Sequence, residues 1–305
     1  MIEAKQLTKK YGNFTAVRDV SFAVGQGEVV GLLGPNGAGK TTIMRMLTGY
    51  SPPTSGTAVV AGHDMALDPL QAKARVGYLP EGVPLYPEMT VREYVNYCGQ
   101  LHGLHDRKAR RERVAAVVER VGLTYKANKL VSSLSKGMRQ RLCVAQALVH
   151  SPDVIILDEP TIGIDPRQVI EVRGMVRELG QEHAVLFSTH ILTEAEQVCD
   201  RLLIINQGRI VAEGTPDELR RLQGSAGFYI EFDAAPDVGR GLLEQAPGVS
   251  VVQASGRGHI VQLQDESVRS QVFIRAAEAE LPIVEMRPLS LTLEEIFLNI
   301  IGNEG

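Results

Sequence analysis

Residues 34–42 read GPNGAGKTT, and that stretch decides the fold. It fits the phosphate-loop template G-x-x-x-x-G-K-[ST] through Gly34, Gly39, Lys40 and Thr41. The flanks agree with the template. EVVGLL (28–33) is an apolar, β-branched run that reads as a buried strand, and a helical pattern containing Met44 and Leu47 follows. The composition has a chemical reason. Glycines let successive backbone N–H groups face phosphate oxygens without side chains in the way. A helix N-terminus adds its positive dipole end. A dinucleotide fingerprint fails here, because reading G-x-G-x-x-G from Gly37 puts Thr42 where the third glycine belongs. Asn36, Gly37 and Thr42 complete the candidate cradle. Lys40 would reach the β/γ-phosphates of a nucleotide, and Thr41 would offer its hydroxyl to Mg²⁺.

Working outward, the next informative stretch is LSKGMRQR (134–141). It opens a helical pattern and stands before VIILDE (154–159), an apolar strand ending in the acidic pair Asp158-Glu159. A phosphate loop and an acidic strand end occur in many nucleotide-binding proteins. A Leu-Ser-x-Gly segment between them is far more restrictive. The chain resembles the ATP-binding subunits of ABC transporters, and the resemblance spans about residues 1–224.

That resemblance implies roles for particular residues. Asp158 would hold Mg²⁺ through water, and Glu159 would polarise the attacking water. His190, in STH (188–190), is similar to the family's switch histidine and would contact the γ-phosphate. Ser135 and Gly137 would donate to the nucleotide of a partner subunit from a helix N-terminus. Asp165, in TIGIDP (161–166), would cross the subunit interface, although Asp-Pro is also an ordinary helix start. Tyr11, in KKYG, would stack on adenine. One position departs from the pattern. Glu81, in LPEG, stands where the family usually has glutamine. A carboxylate there adds negative charge beside Asp158 and Glu159, so it either strengthens Mg²⁺ binding or swings away.

Composition sets outer limits. The chain has 305 residues, 44% of them apolar, and a mean hydropathy of −0.03. That describes a globular protein with a sizeable core. No apolar run approaches the roughly 18 residues needed to cross a bilayer, and the start, MIEAKQLTKK, has no signal-peptide core. Cys98, Cys143 and Cys199 have neither metal-ligand nor disulfide spacing, and read as buried thiols. The net charge is −4. Residues 225–305 contribute five arginines, no lysine and twelve acids, a net of −7, which leaves +3 on the rest. No broad basic surface suggests nucleic acid binding. RKARRER (107–113) reads as a solvated helix face. His150 and His183 read as surface or loop residues.

The expected fold is α/β: a P-loop NTPase with a RecA-like parallel sheet core, an N-terminal antiparallel β subdomain and a helical subdomain inserted at about 85–150. Residues 225–305 are expected to form a small C-terminal α+β domain, with a closing helix over TLEEIFLNII. By resemblance the function is ATP binding and hydrolysis driving a separate multi-span membrane permease, with ATP and Mg²⁺ as cofactors. The ending LSLTLEEIFLNI resembles drug-exporter members, so export is expected. The composite site implies a homodimer or pairing with a related ATP-binding subunit. The permease would dock around Tyr86 to Tyr97, at the cytoplasmic face of the inner membrane. A soluble ABC ATPase acting on a ribosome or DNA is the second reading. The 118 positions between Lys40 and Asp158 leave no room for a long coiled-coil insertion. A non-hydrolysing regulatory subunit would have lost Glu159 or His190, and both are present.

Overall fold

The amino-terminal segment alternates, so it pairs as a hairpin. β1 (Ile2–Tyr11) and β2 (Phe14–Val24) are antiparallel. β3 (Val29–Leu33) is buried along its whole length and leads into α1 (Lys40–Leu47) through the phosphate loop. β4 (Ser55–Val60) and β5 (His63–Asp64) extend the first sheet in the order β2-β1-β4-β5. This is a computed structural model, and it describes residues 1–222, 226–263, 268–289 and 297. It divides into two units, Met1–Pro216 and Asp217–Gly305. The division falls eight residues before the boundary read from the sequence.

A short helix, α2 (Pro69–Ala74), precedes β6 (Val76–Leu79); the sequence reading had missed it. Three helices follow. α3 (Val91–Leu101) starts with a complete capping box, in which Thr90 Oγ1 accepts from Glu93 N and Glu93 accepts from Thr90 N. α4 (Arg107–Arg120) is capped by Asp106, and α5 (Lys136–Leu148) by Ser135. β7 (Val154–Asp158), α6 (Pro166–Glu182), β8 (Ala184–Thr189), α7 (Leu192–Val198), β9 (Arg201–Asn206) and β10 (Arg209–Gly214) complete the first unit. The second sheet runs β10-β9-β3-β8-β7-β6, parallel except for β10. Its central strands β3, β7 and β8 are buried along their whole length, which is why they read as continuous apolar runs.

Alternation along those strands divides the core. Val30, Leu32, Val154, Ile156 and Leu186 face a cluster with Ile43, Met44, Met46 and Leu47 of α1 and with residues of β1, β2 and β4. The helix after the phosphate loop is therefore clamped between the two sheets. Each of those four side chains is fully buried, contributing about 1.5–3 kcal/mol. On the other face, α6 approaches β3 so closely that a Cβ on Gly180 would lie 2.2 Å from Val29 Cγ2.

RKARRER is not simply a solvated face. Arg110 is buried and donates to Asn96 Oδ1 and to the carbonyls of Leu104 and His105. Arg113 donates to the carbonyls of Leu148 and Val149. Arg110 thus ties α4 to α3 and to the loop between them, and Arg113 ties it to α5 by satisfying helix-end carbonyls. His150 and His183 lie in the connections after α5 and α6, as read, but both are packed there. His150 stacks on His102 with centroids 3.8 Å apart and reaches Val76 O, and burial pushes it down to about 4. His183 Nδ1 lies 2.9 Å from Pro152 O. All three cysteines are free and buried.

α8 (Pro216–Leu222) stands at the division. The second unit contains β11 (Ala226–Phe232), α9 (Pro236–Glu244), β12 (Val249–Ser255), β13 (Gly258–Leu263), α10 (Val268–Glu278) and β14 (Ile283–Leu289). The sheet order is β12-β13-β11-β14, all antiparallel. Phe228, Ile230 and Phe232 alternate onto one face and pack with Leu243 of α9 and Val272 of α10. α9 is absent from the sequence reading. The helix expected over TLEEIFLNII lies outside the described residues, apart from Phe297. Among the described residues, no helix is long and apolar enough to cross a membrane.

Candidate functional site

The site is built where three parallel strands end. β3 delivers the phosphate loop, β7 delivers Asp158 and Glu159, and β8 delivers Ser188, Thr189 and His190. Gly34 is buried at the end of β3, while Asn36 and Gly37 are exposed at the loop's tip. Gly39 caps α1 with φ +109°, and a Cβ there would lie 2.8 Å from Ala16 O. Both facts demand glycine. Lys40 is the first residue of α1, with Thr41 and Thr42 following in the same turn. The side chain of Lys40 is 5% exposed. Its ammonium donates to Gly34 O at 2.7 Å and Pro35 O at 3.1 Å, and lies 3.3 Å from Glu159 Oε1.

Asp158 is fully buried. Its Oδ1 accepts from Ser188 Oγ at 2.7 Å, while Oδ2 is buried without a hydrogen-bond partner. A carboxylate oxygen left bare in the interior is costly unless something positive meets it. Asp158 lines a cleft of about 610 Å³ together with Thr41, Arg45, Tyr78 and Glu81. Burial and the Asp158 charge push the Tyr78 phenol up to about 12. Thr41, Asp158 and Glu81 therefore share one cavity, and their hydroxyl and carboxylate oxygens are the donor set a small hard cation prefers. Glu81 itself is exposed at its mouth.

Glu159 turns sharply away from the strand with φ +48°, a conformation that costs a non-glycine residue energy and concentrates at functional sites. Its N–H donates to Ser188 Oγ at 3.0 Å. One Ser188 hydroxyl thus holds both acidic residues. Glu159 Oε2 lies 2.8 Å from His190 Nδ1. The chain consequently brings Lys40, Glu159 and His190 into one contact series. Ser188 had escaped sequence reasoning, since nothing in STH distinguishes a bridging hydroxyl from a strand-end serine.

The remaining candidates lie elsewhere. Ser135 is exposed at the start of α5, where its Oγ accepts from Met138 N at 3.3 Å. Gly137 is buried, and a Cβ there would lie 1.7 Å from Gln168 Oε1. Asp165 caps α6, with Oδ1 accepting from Arg167 N and Gln168 N. Tyr11 ends β1, cross-strand from Phe14, and the two rings are 48% and 64% exposed. The β1–β2 hairpin adjoins the phosphate loop through Ala16 against Gly39. Tyr86 contacts Tyr94 and Tyr97, with centroids at 6.2 and 5.6 Å.

Comparison with known proteins agrees with this geometry. The family described as ABC transporter matches residues 17–162. The C-terminal domain of DrrA1-3-like ATP-binding proteins matches residues 214–301. An ABC transporter ATP-binding protein of Bacillus subtilis, YxlF, is 38% identical over 302 residues, which is 99% of each chain. The chain belongs to the ABC transporter ATP-binding proteins. This ABC ATPase is also 36% identical over 299 residues to the daunorubicin resistance ATP-binding protein DrrA3 of Streptomyces coeruleorubidus, covering 97% of this chain and 94% of that one. A solved ATP-binding subunit of an ABC transporter is 32% identical, with a TM-score of 0.66 over 73% of this chain and 93% of that one. A dimeric ATP-binding cassette in a post-hydrolysis state with ADP and Pi is 25% identical, with a TM-score of 0.63 over 70% of this chain and 98% of that one. The chain is therefore an ATP-binding P-loop protein of a family that hydrolyses ATP.

Proposed function

We propose that this ABC ATPase powers export through a separate multi-span membrane permease, and that two copies, or this chain and a related subunit, close around ATP to do so. The observation that carries the export reading is the full-length similarity to resistance and export proteins, extending through the C-terminal unit. The linearmycin resistance protein of Bacillus subtilis is 33% identical over 99% of this chain. The Nod factor export protein of Paraburkholderia xenovorans is 38% identical over 99%. The work would be done at the cytoplasmic face of the inner membrane, with the Tyr86–Tyr97 region receiving the permease. Residues 225–305 would act as a small accessory domain.

The site residues have the following roles in this reading. The backbone of Gly34–Thr42 and the ammonium of Lys40 hold the phosphates, and Tyr11 meets the adenine. Thr41 and Asp158, with Glu81 at the margin, would hold Mg²⁺. The bare Oδ2 of Asp158 supports that placement. When bound, Mg²⁺ neutralises charge between the β- and γ-phosphates. Glu159 accepts the proton side of the attacking water, and His190 holds the Glu159 carboxylate in place through Nδ1. Phosphate drawn to Lys40 would compete with its contact to Glu159 and release that carboxylate for water. Ser135 and Gly137, at the exposed start of α5, would donate to nucleotide held by the partner, and Asp165 would lie at the same interface. No nucleic acid partner is needed.

Expression of the full chain with a multi-span membrane protein encoded by a neighbouring gene tests the reading, and the absence of such a gene would count against it. Membrane association and ATP-dependent extrusion of a drug-like compound, both lost with Glu159→Gln, are expected. An active ATPase that stays off membranes in the presence of that protein would contradict it.

A further inference from the structure

Glu194 takes no part in the contacts described so far, yet it is one of the most deeply buried charged groups in the chain, at 2% exposure. It projects from α7 into the space behind the catalytic loops. Its Oε2 accepts from Thr161 Oγ1 at 2.7 Å and from Thr189 Oγ1 at 3.0 Å. Its Oε1 lies 3.3 Å from a guanidinium nitrogen of Arg173 on α6. Arg173 in turn donates to Gln197 Oε1 at 2.6 Å. Thr161 is two residues beyond Glu159, and Thr189 immediately precedes His190. The Thr189 hydroxyl also accepts from Ile191 N at 3.0 Å, which fixes the chain on the far side of His190.

Burying a carboxylate costs several kcal/mol before its partners repay it, and an apolar side chain would fill the same place without that penalty. The surroundings give a reason for a polar tether. Glu159, Thr161, Thr189, His190 and Glu194 border a cavity of about 200 Å³ beneath the Thr161–Ile164 loop. Ile162, Ile164, Val169 and Ile191 line the same cavity; the space between them leaves the loop's apolar packing incomplete, so directional hydrogen bonds help to set where it sits.

We propose that Glu194 is a positioning residue for hydrolysis: by tethering Thr161 and Thr189 to one carboxylate oxygen, it sets the Glu159–His190 contact. The inference rests on the proposed roles of Glu159 and His190. It extends the site to α6 and α7, so that movement of either helix reaches the catalytic pair through Arg173 and Glu194.

The test is steady-state hydrolysis by the full chain with Mg²⁺ and ATP, alongside equilibrium ATP binding and thermal melting. Glu194→Ala is expected to lower kcat by roughly 10- to 100-fold, the scale for catalytic groups displaced by about an ångström, with KM and ATP affinity within about twofold. Glu194→Gln keeps the side-chain length and one acceptor, and should recover most of the lost kcat. Should Glu194→Ala fold poorly, the Thr161→Val, Thr189→Val pair removes those two bonds, together with the one from Ile191 N to the Thr189 hydroxyl, by near-isosteric change and should lower kcat without changing ATP affinity. Wild-type kcat in Glu194→Ala or in the valine pair would overturn the proposal, as would equal losses of kcat and ATP affinity. Glu159→Gln is the control. Its failure to slow turnover would overturn the reading of Glu159 itself, and the inference with it. A large loss there beside an unaffected Glu194→Ala would overturn the inference alone.

Discussion

The two ends of this ATPase site are built in opposite ways. Around the phosphate loop, Lys40, Asp158 and Glu159 are 8% exposed or less; Lys40 meets Glu159 and Gly34, Glu159 meets His190, and Ser188 joins Glu159 to Asp158. At the start of α5, Ser135 is exposed, and among the described residues its hydroxyl serves only as a helix cap. The first end is pre-organised by its own chain. The second presents a helix N-terminus outward, with Gly137 kept free of a Cβ by Gln168 packed against it. The difference fits the proposed reading, in which one end grips a nucleotide unaided and the other acts on a nucleotide brought by a partner.

The comparison breaks first at Glu159. Glu159→Gln should lower turnover by about 10²- to 10⁴-fold, the range for a general base, while ATP binding measured by calorimetry persists. Lys40→Ala should weaken ATP binding by roughly 10- to 100-fold, as expected for losing charge-assisted bonds to phosphate. Ser135→Arg, in contrast, should leave binding within about twofold yet remove hydrolysis. Equal binding losses from both would mean that the LSKGMRQR segment serves its own chain's nucleotide. Glu81→Gln sharpens the gripping end. The Mg²⁺ concentration for half-maximal activity should rise by about three- to tenfold if the carboxylate faces the metal, corresponding to about 1 kcal/mol. An unchanged profile would remove Glu81 from the cation's surroundings.

The smallest effect concerns pH, and it guards the comparison against a false reading. Burial beside His102 pushes His150 down to about 4 from 6.5. A histidine kept neutral by the fold favours the native state above the unfolded value. That stability is lost as pH falls from about 6.5 toward about 4. The melting temperature should therefore decline over this range, and less so in His150→Gln. Loss of subunit pairing at acid pH would then report the helical subdomain and not Ser135.

Much of this architecture was legible because the strands that carry it are buried on both faces. VVGLL, VIILD and AVLFST cannot be much else, and the glycines between β3 and α1 mark the loop. Two helices escaped for local reasons. α2 is one and a half turns between strand patterns. α9, PDVGRGLLE, carries Gly239 and Gly241, which weaken its helical signature. The polar supports escaped for a different reason. Ser188, Glu194 and Arg173 matter through tertiary proximity across 21 to 33 sequence positions, and no residue pattern announces that. Arg110 and Arg113 failed the solvated-face reading likewise, because their partners are carbonyls contributed by other segments.

The central claim is that the exposed LSKGMRQR segment completes a partner's site, and the most direct measurement is molar mass in solution. Full-length Glu159→Gln protein with Mg²⁺ and ATP, measured by light scattering after size exclusion, should have twice the monomer mass, and adding Ser135→Arg should return it to the monomer. A dimer that is indifferent to Ser135→Arg, or one that forms equally without nucleotide, would contradict the account.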